Sequence, residues 1–339
     1  MEVRTGLSYG DALLVPQRSG VDSRSDVDLT TQLTPSLKLD VPLVSAAMDT
    51  VTEADTAAAL ADLGGLGVIH RFLSIEEQAA EVRAVADQGG PVAAAVGIDE
   101  DYLDRTEAIL DAGGDAVVLD VAHGHMERAL DAVAEIRAEY DPELIAGNVV
   151  TPQAVEDLYD AGADCVKVGV GPGSHCTTRE VAGAGYPQLS AVDECADRAD
   201  ELGITVMADG GIQHSGDAAK ALMAGAETVM MGGFFAGTDE APGRVVTRNG
   251  ERFKRSRGMA STAANDDRED KAIDVEAGEG VEALTPYKGP LAPQTEEFIA
   301  GIRSGLSYCG GHTIPAAREN AVFVEVSEGA KERESAHGV

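Results

Sequence analysis

Of the four cysteines in the chain, at positions 165, 176, 195 and 309, Cys176 has neighbours that suit a reactive thiol. It lies in the run Gly169-Val-Gly-Pro-Gly-Ser-His-Cys176-Thr-Thr-Arg179, whose glycines allow backbone conformations that a side chain would forbid. A thiol at the tip of such a loop can reach a ligand held by neighbouring segments. Thr177, Thr178 and Arg179 offer donors or charge that favour the thiolate, the form that attacks an electrophilic carbon. Cys165 and Cys195 sit in apolar patterns and read as small buried residues, whereas Cys309 reads either way. The carbonyls of Gly171, Gly173 and Cys176 form a pattern that could hold a monovalent cation.

Other candidates follow short apolar runs. Asp209-Gly210-Gly211 and Gly232-Gly233 let backbone N–H groups approach a phosphate closely, and Asp209 beside them is suited to accept hydrogen bonds from ribose hydroxyls. His70-Arg71, Asp120, His123 and Asn148 occupy equivalent positions after other runs. The histidines at 70, 123 and 125 lack a metal-ligand spacing, so no structural zinc is expected.

The apolar runs that carry these residues are Val41–Ser45, Leu66–Ile69, Val92–Val96, Ala116–Leu119, Leu144–Ala146, Cys165–Val168, Thr205–Ala208 and Thr228–Met231. Helical patterns separate them: Glu53–Asp62, Ile75–Ala86, Leu103–Ala112, Met126–Ala138, Pro152–Ala161, Ala191–Leu202 and Ser215–Ala224. Several of these end in glycine before the next strand, at Leu63-Gly64-Gly65, Ala161-Gly162, Leu202-Gly203 and Ala224-Gly225, where a left-handed C-cap is expected. Eight β–α units predict a closed α/β (β/α)8 TIM barrel, with the active site at the carboxyl ends of the strands. An open dinucleotide-binding sheet would be expected to carry GxGxxG after an early strand, and none is present. The polar, acidic stretch Ser261–Glu282 predicts a mobile flap after strand eight, within an interval of about 258–289. A helix over Thr295–Ser304 follows, and the charged tail from Ser327 is expected to fray. The whole chain, 1–339, reads as one catalytic domain.

Composition narrows the partners. A net charge of −33 repels nucleic acid and anionic membrane, so neither is an expected partner. Such an acidic surface suits a protein kept soluble in concentrated salt, where screening removes the self-repulsion. With neither an amino-terminal signal pattern nor an apolar run of membrane-spanning length, a cytoplasmic location and reduced thiols are expected.

The motifs Leu13-Leu-Val-Pro16, Ser45-Ala-Ala-Met-Asp-Thr-Val51, Ala146-Gly-Asn-Val-Val-Thr151, Lys167-Val-Gly-Val-Gly-Pro-Gly-Ser-His-Cys-Thr-Thr-Arg179, Gly185-Tyr-Pro-Gln-Leu189, Ala208-Asp-Gly-Gly-Ile212 and Arg257-Gly-Met259 run through the chain. On these the chain resembles the IMP dehydrogenase/GMP reductase family over nearly its whole length. The resemblance implies a purine nucleoside monophosphate as substrate, a thioimidate between Cys176 and purine C2, and hydride exchange with a nicotinamide cofactor. It implies that Ser174, Gly210, Gly211, Gly232 and Gly233 cradle the phosphate, with Asp209 on the ribose. Arg257, Gly258 and Met259 join the substrate site, and Asp120, Asn148, His70 and Arg71 lie toward the nicotinamide. A homotetramer and a potassium-dependent loop also follow from the resemblance.

The two activities of that family differ in the flap. Dehydrogenases activate water with an Arg-Tyr pair, and here the matching stretch Asp266-Asp267-Arg268-Glu269 keeps Arg but lacks Tyr. A reductase needs a proton donor for the departing ammonia, and Thr178 with Glu279 match the residues that reductases use. The run Ser23–Leu29, Tyr186 and the short flap interval also resemble reductases. Ala122-His123-Gly124-His125, Glu279-Gly280-Val281-Glu282 and the terminal Tyr308-Cys309-Gly310 through Glu334-Ser335 resemble dehydrogenases instead, and two reductase features are missing, an Arg ahead of Glu279 (here Glu276) and a phosphate-contacting Tyr near Gly258 (here Ser256-Arg257). The expectation is an NADPH-dependent GMP reductase. The alternatives are a minimal IMP dehydrogenase using NAD (forming NADH) and, from another class, a silent nucleotide sensor.

Overall fold

The structure is a computed structural model that describes residues 1, 3–99, 101–174, 176–259 and 280–334. Eight parallel strands close into a barrel: β1 Leu43–Ser45, β2 Leu66–Ile69, β3 Val92–Val96, β4 Ala116–Asp120, β5 Leu144–Val149, β6 Cys165–Val168, β7 Thr205–Asp209 and β8 Thr228–Met231. The ring shuts where Val229, Met230 and Met231 of β8 pair with Leu43, Val44 and Ser45 of β1. The fold is the (β/α)8 TIM barrel that the alternating pattern predicts.

Alternation along the strands divides the core into two layers. Val44, Leu66, Val68, Ala93, Ala95, Val118, Ile145, Cys165, Met207 and Met230 fill the barrel interior. Their neighbours, among them Leu43, Ile69, Val117, Leu119, Val166 and Val206, face the surrounding helices. A two-stranded hairpin, Thr31–Gln32 with Lys38–Leu39, adds Leu33 and Leu39 to the interior cluster. The Thr205 hydroxyl at the start of β7 donates to the Leu33 carbonyl at 2.5 Å, so this hairpin plugs the amino-terminal end of the barrel.

The helices are α1 Ala54–Ala61, α2 Ile75–Ala86, α3 Tyr102–Asp111, α4 Glu127–Tyr140, α5 Pro152–Ala161, α6 Gln188–Leu202, α7 Ser215–Met223 and α8 Leu291–Tyr308. Ser74 and Glu77 form a capping box at the start of α2, and the chain then passes directly to β3. Helix α8 is longer at both ends than the Thr295–Ser304 span its apolar period suggests, and the short helix Ile314–Glu319 follows it. Among the described residues no helix is long and apolar enough to cross a membrane.

Three departures from expectation concern the segments outside the barrel. The chain after β8 forms an antiparallel sheet of β9 Val246–Arg248, β10 Glu251–Arg257 and β11 Glu282–Pro286. Glu282, expected in the flap, therefore begins a strand, while 260–279 lie outside the described residues. The chain ends also pair, Ala12–Leu14 running antiparallel to Phe323–Glu325. Finally, the tail expected to fray from Ser327 carries a helix, Glu328–Glu334. Lys331 ties it to the body by an ion pair with Asp11 at 2.6 Å, and that hydrogen bond holds the Asp11 carboxyl below its ordinary pKa.

Candidate active site

The carboxyl ends of β6, β7, β8 and β1 surround a cavity of about 590 Å³. Cys176, Ser174 and Gly173 enter it from the loop after β6, Asp209, Gly210 and Gly211 from β7, and Gly232 and Gly233 from β8. Gly258 and Met259, at the end of β10, cover its edge. Nine of the residues singled out as substrate-contacting or nucleophilic thus share one space, although four chain segments supply them. Gly210 and Gly211 hold φ of +85° and +77°, consecutive left-handed positions that only glycine adopts without strain. The Gly233 Cα lies so close to Ser174 that an added Cβ would stand 3.3 Å from its hydroxyl.

Cys176 differs from the other cysteines in its surroundings. Cys165, Cys195 and Cys309 are buried, and burial pushes the first two thiols up to about 12. Cys176 is half-buried, its S–H donating to the Thr178 hydroxyl at a sulfur–oxygen distance of 3.2 Å. Its backbone pairs antiparallel with Gly280, so the returning flap meets the thiol loop directly. Within the loop the Cys176 N–H donates to the Gly173 carbonyl at 3.1 Å, which closes the turn. Arg179 does not serve the thiol: its guanidinium donates to the Tyr186 carbonyl at 2.7 Å, and its stem packs on Gly171 and Gly185. Glu279 and Arg268 lie outside the described residues.

Behind the cavity a buried cation organises the site. Lys167, 1 % exposed, points inward from β6 and pairs with Asp120 at 2.8 Å and Asp209 at 2.7 Å. It also donates to the Asn148 side-chain oxygen, while the Asn148 side-chain NH2 donates to Asp209 at 2.9 Å and to the Gly169 carbonyl at 2.6 Å. Burial alone would disfavour the ammonium, but the two carboxylates outweigh it and keep the lysine above its ordinary pKa. Asp209 therefore spends Oδ2 on the network and keeps Oδ1, without a partner among the described residues, for the cavity. Lys167 was passed over in the sequence reading, yet a lone charge at an inward position of a buried strand must be paired.

The remaining candidates lie elsewhere. Asp120 and Asn148 sit on the β4–β5 side of the network, across it from the cavity lining. His70 is 2 % exposed, accepts from the Phe72 N–H at 3.2 Å and faces Glu53 at 3.4 Å, so both ring nitrogens are engaged at the end of β2. Arg71 leans against Gly97 and stands 3.7 Å from Asp99. Neither is part of the cavity wall. Arg257 is also outside the lining: its guanidinium pairs with Asp49 in the loop after β1, Nε donating at 2.8 Å, and ties the flap to the barrel. Ser256 is buried against Thr285 at 2.6 Å and does not line the cavity.

Gly169 is the tightest joint in this arrangement, because a Cβ there would lie 2.1 Å from the Asp209 carbonyl oxygen. Gly169→Ala is expected to lower stability by about 1–3 kcal/mol through overpacking between β6 and β7. Gly203→Ala, at φ +75° with nothing within 4 Å, should cost only the left-handed penalty, about 1–2 kcal/mol. Denaturant midpoints of the two variants check this, and a nucleotide affinity that falls only with Gly169→Ala would separate joint from cap.

The fold and site define a (β/α)8-barrel protein with a thiol loop at the strand ends, paired left-handed glycines and an adjoining flap sheet. Residues 6–337 match the model of the IMP dehydrogenase / GMP reductase domain, and the chain belongs to that family of oxidoreductases. It is 37% identical to inosine-5'-monophosphate dehydrogenase of Nitrosopumilus maritimus, over 100% of this chain and 99% of the relative. It is 35% identical to GMP reductase of Leishmania donovani, over 97% of this chain and 96% of the relative. A solved cysteine-to-alanine variant of GMP reductase from Trypanosoma brucei, in complex with guanosine 5'-monophosphate, superposes with a TM-score of 0.94 at 32% identity, covering 99% of this chain and 98% of that one. Both sequence alignments run over 473 residues against a chain of 339. The shorter length therefore separates this protein equally from a dehydrogenase and from a reductase.

Proposed function

We propose that the protein is a GMP reductase, converting GMP to IMP and ammonia at the expense of NADPH. The observation that carries the reading is the meeting of three elements at Cys176: the thiol against Thr178, the opening to the glycine-lined cavity, and the backbone pairing with Gly280, next in sequence to Glu279. A GMP-bound structure of a relative with TM-score 0.94 supports the choice of ligand.

The Cys176 thiolate attacks purine C2 and forms the C–S bond; the C2–N bond then breaks and the amino nitrogen leaves as ammonia. Thr178 and Glu279 deliver the proton that makes nitrogen a leaving group, a transfer that uses the hydroxyl 3.2 Å from sulfur. The reduced nicotinamide, when bound, supplies a hydride. As C2 takes up that hydride the C–S pair returns to sulfur, and Cys176 is regenerated as thiolate. The balance is GMP plus NADPH plus two protons to IMP, NADP+ and ammonium.

The cofactor fits the β4–β5 side of the barrel mouth, where Asp120 keeps one carboxylate oxygen without a partner among the described residues. Asp120 and Asn148 would hold the nicotinamide there, Asn148 mainly by orienting Asp209 and Lys167. A monovalent cation would draw on the carbonyls of Gly171, Gly173 and Cys176, of which Gly173 already accepts the Cys176 N–H. No step depends on it.

Oxidation of IMP with NAD is the second reading, supported by the dehydrogenase relative at 37% identity. Both reactions share the thiol adduct and diverge in what the flap delivers. The deciding assay follows the reduced nicotinamide with GMP plus NADPH and, separately, with IMP plus NAD, in potassium buffer. Cofactor oxidation with stoichiometric ammonia supports the reductase, and Glu279→Gln should then lower kcat by about 10²- to 10⁴-fold with GMP binding retained. Formation of NADH from IMP overturns it.

A further inference from the structure

Lys288 is the only cationic side chain on the cavity wall among the described residues. Its backbone is held from several directions. The Lys288 N–H donates to the Gly237 carbonyl at 2.9 Å, and the Gln294 side chain donates to the Lys288 carbonyl at 2.8 Å. The ammonium donates to the carbonyls of Gly233 and Phe234, each at 2.6 Å, and stands 5.7 Å from the Phe234 ring centroid. Two of its three N–H donors are thereby used. The third has no partner among the described residues, and no carboxylate among them pairs with the group.

That leaves an unusual electrostatic situation. Burial without a compensating anion pushes the ammonium down from the ordinary lysine value to about 8. The protein around it carries a net charge of −33, and the carboxylate of Asp209 lines the same cavity. A phosphate dianion entering this space would meet backbone amides and one fixed donor of positive charge. Gly233 links the two, since it lines the cavity and its carbonyl is held by Lys288.

We infer that Lys288 is a specificity residue for the substrate's 5'-phosphate, donating its remaining N–H to the dianion and thereby selecting nucleoside monophosphates over nucleosides. The inference rests on the proposed function for the identity of the ligand, and the charge argument names the phosphate as the part recognised. Backbone amides supply shape and direction at such a site, whereas the lysine supplies the single full charge that offsets the anion.

Calorimetric titration of GMP, guanosine and inorganic phosphate into wild type, Lys288→Met and Lys288→Arg tests this. The expected result is that Lys288→Met weakens GMP by about 10- to 100-fold, leaves guanosine unchanged, and is partly rescued by Lys288→Arg. Equal weakening of GMP and guanosine would show that Lys288 only caps the Gly233 and Phe234 carbonyls, and unchanged GMP affinity would show that it does neither; both overturn the inference. Should wild type bind no purine nucleotide, the proposed function has failed, and the phosphate titration still decides: loss of phosphate binding in Lys288→Met supports the role, and no loss overturns it.

Discussion

Replacing Cys176 with alanine is expected to abolish turnover while leaving the fold and nucleotide binding in place. Among the described residues the thiol hydrogen-bonds only the Thr178 hydroxyl, and it is half-buried, so its loss leaves no large void. No other cysteine can take over, because Cys165, Cys195 and Cys309 are buried and their thiols are raised by that burial. In the proposed reaction Cys176 forms the covalent intermediate, so its removal should lower kcat by on the order of 10⁴-fold or more. Intact-mass spectrometry of wild type with GMP should detect an adduct that Cys176→Ala lacks. Residual activity within tenfold of wild type would remove covalent chemistry from the reaction altogether.

The largest structural effect is expected from Lys167→Met. The substitution keeps the inward apolar stem but removes the ammonium between Asp120 and Asp209, leaving two carboxylates facing each other behind the cavity. Breaking a buried pair costs about 3–5 kcal/mol. The low end applies, since the carboxylates are 26% and 21% exposed and keep some solvent. Thermal and urea unfolding should show that deficit, together with loss of turnover, because Asp209 and Asn148 lose the group that orients them. Adding Asp120→Asn should recover part of the stability without recovering activity. A deficit below about 1 kcal/mol would mean that the network is not what holds the strand ends together.

The barrel was legible because its strands are short β-branched or alanine-rich runs and its helices end at glycines, two signals that do not depend on each other. The cavity that forms the candidate site was foreshadowed by the same rule, which directs attention to the residues just after each strand, where Cys176, Asp209 and the paired glycines stand. The flap sheet was harder. Glu251–Arg257 is mostly charged, with no apolar period to mark a strand, and its pairing with Glu282–Pro286 spans a long separation in sequence. One local signal did exist: Asn249-Gly250, with φ of +54° and +86°, is the two-residue turn of the β9–β10 hairpin. The Arg257–Asp49 pair has no such signal, because it arises only when the chain after β8 folds back over the loop after β1. His70 and Arg71 occupy the expected strand end, but strand-end position alone does not say which side chains turn inward to the cavity.

The Arg257–Asp49 ion pair and the Cys176–Gly280 bridge fix where the chain leaves the barrel mouth and where it comes back. Ser256 against Thr285 fastens the two edges to each other just outside those points. The twenty residues from 260 to 279 are thus bracketed by anchors that belong to the scaffold. Such an arrangement works as a socket: what lies between the two anchors can be exchanged without moving the barrel strands or the loop that carries Cys176. Exchanging that insert with those of the dehydrogenase and reductase relatives, at 37% and 35% identity, would measure how much of the choice between oxidation and reduction lies between the two anchors and how much in the barrel.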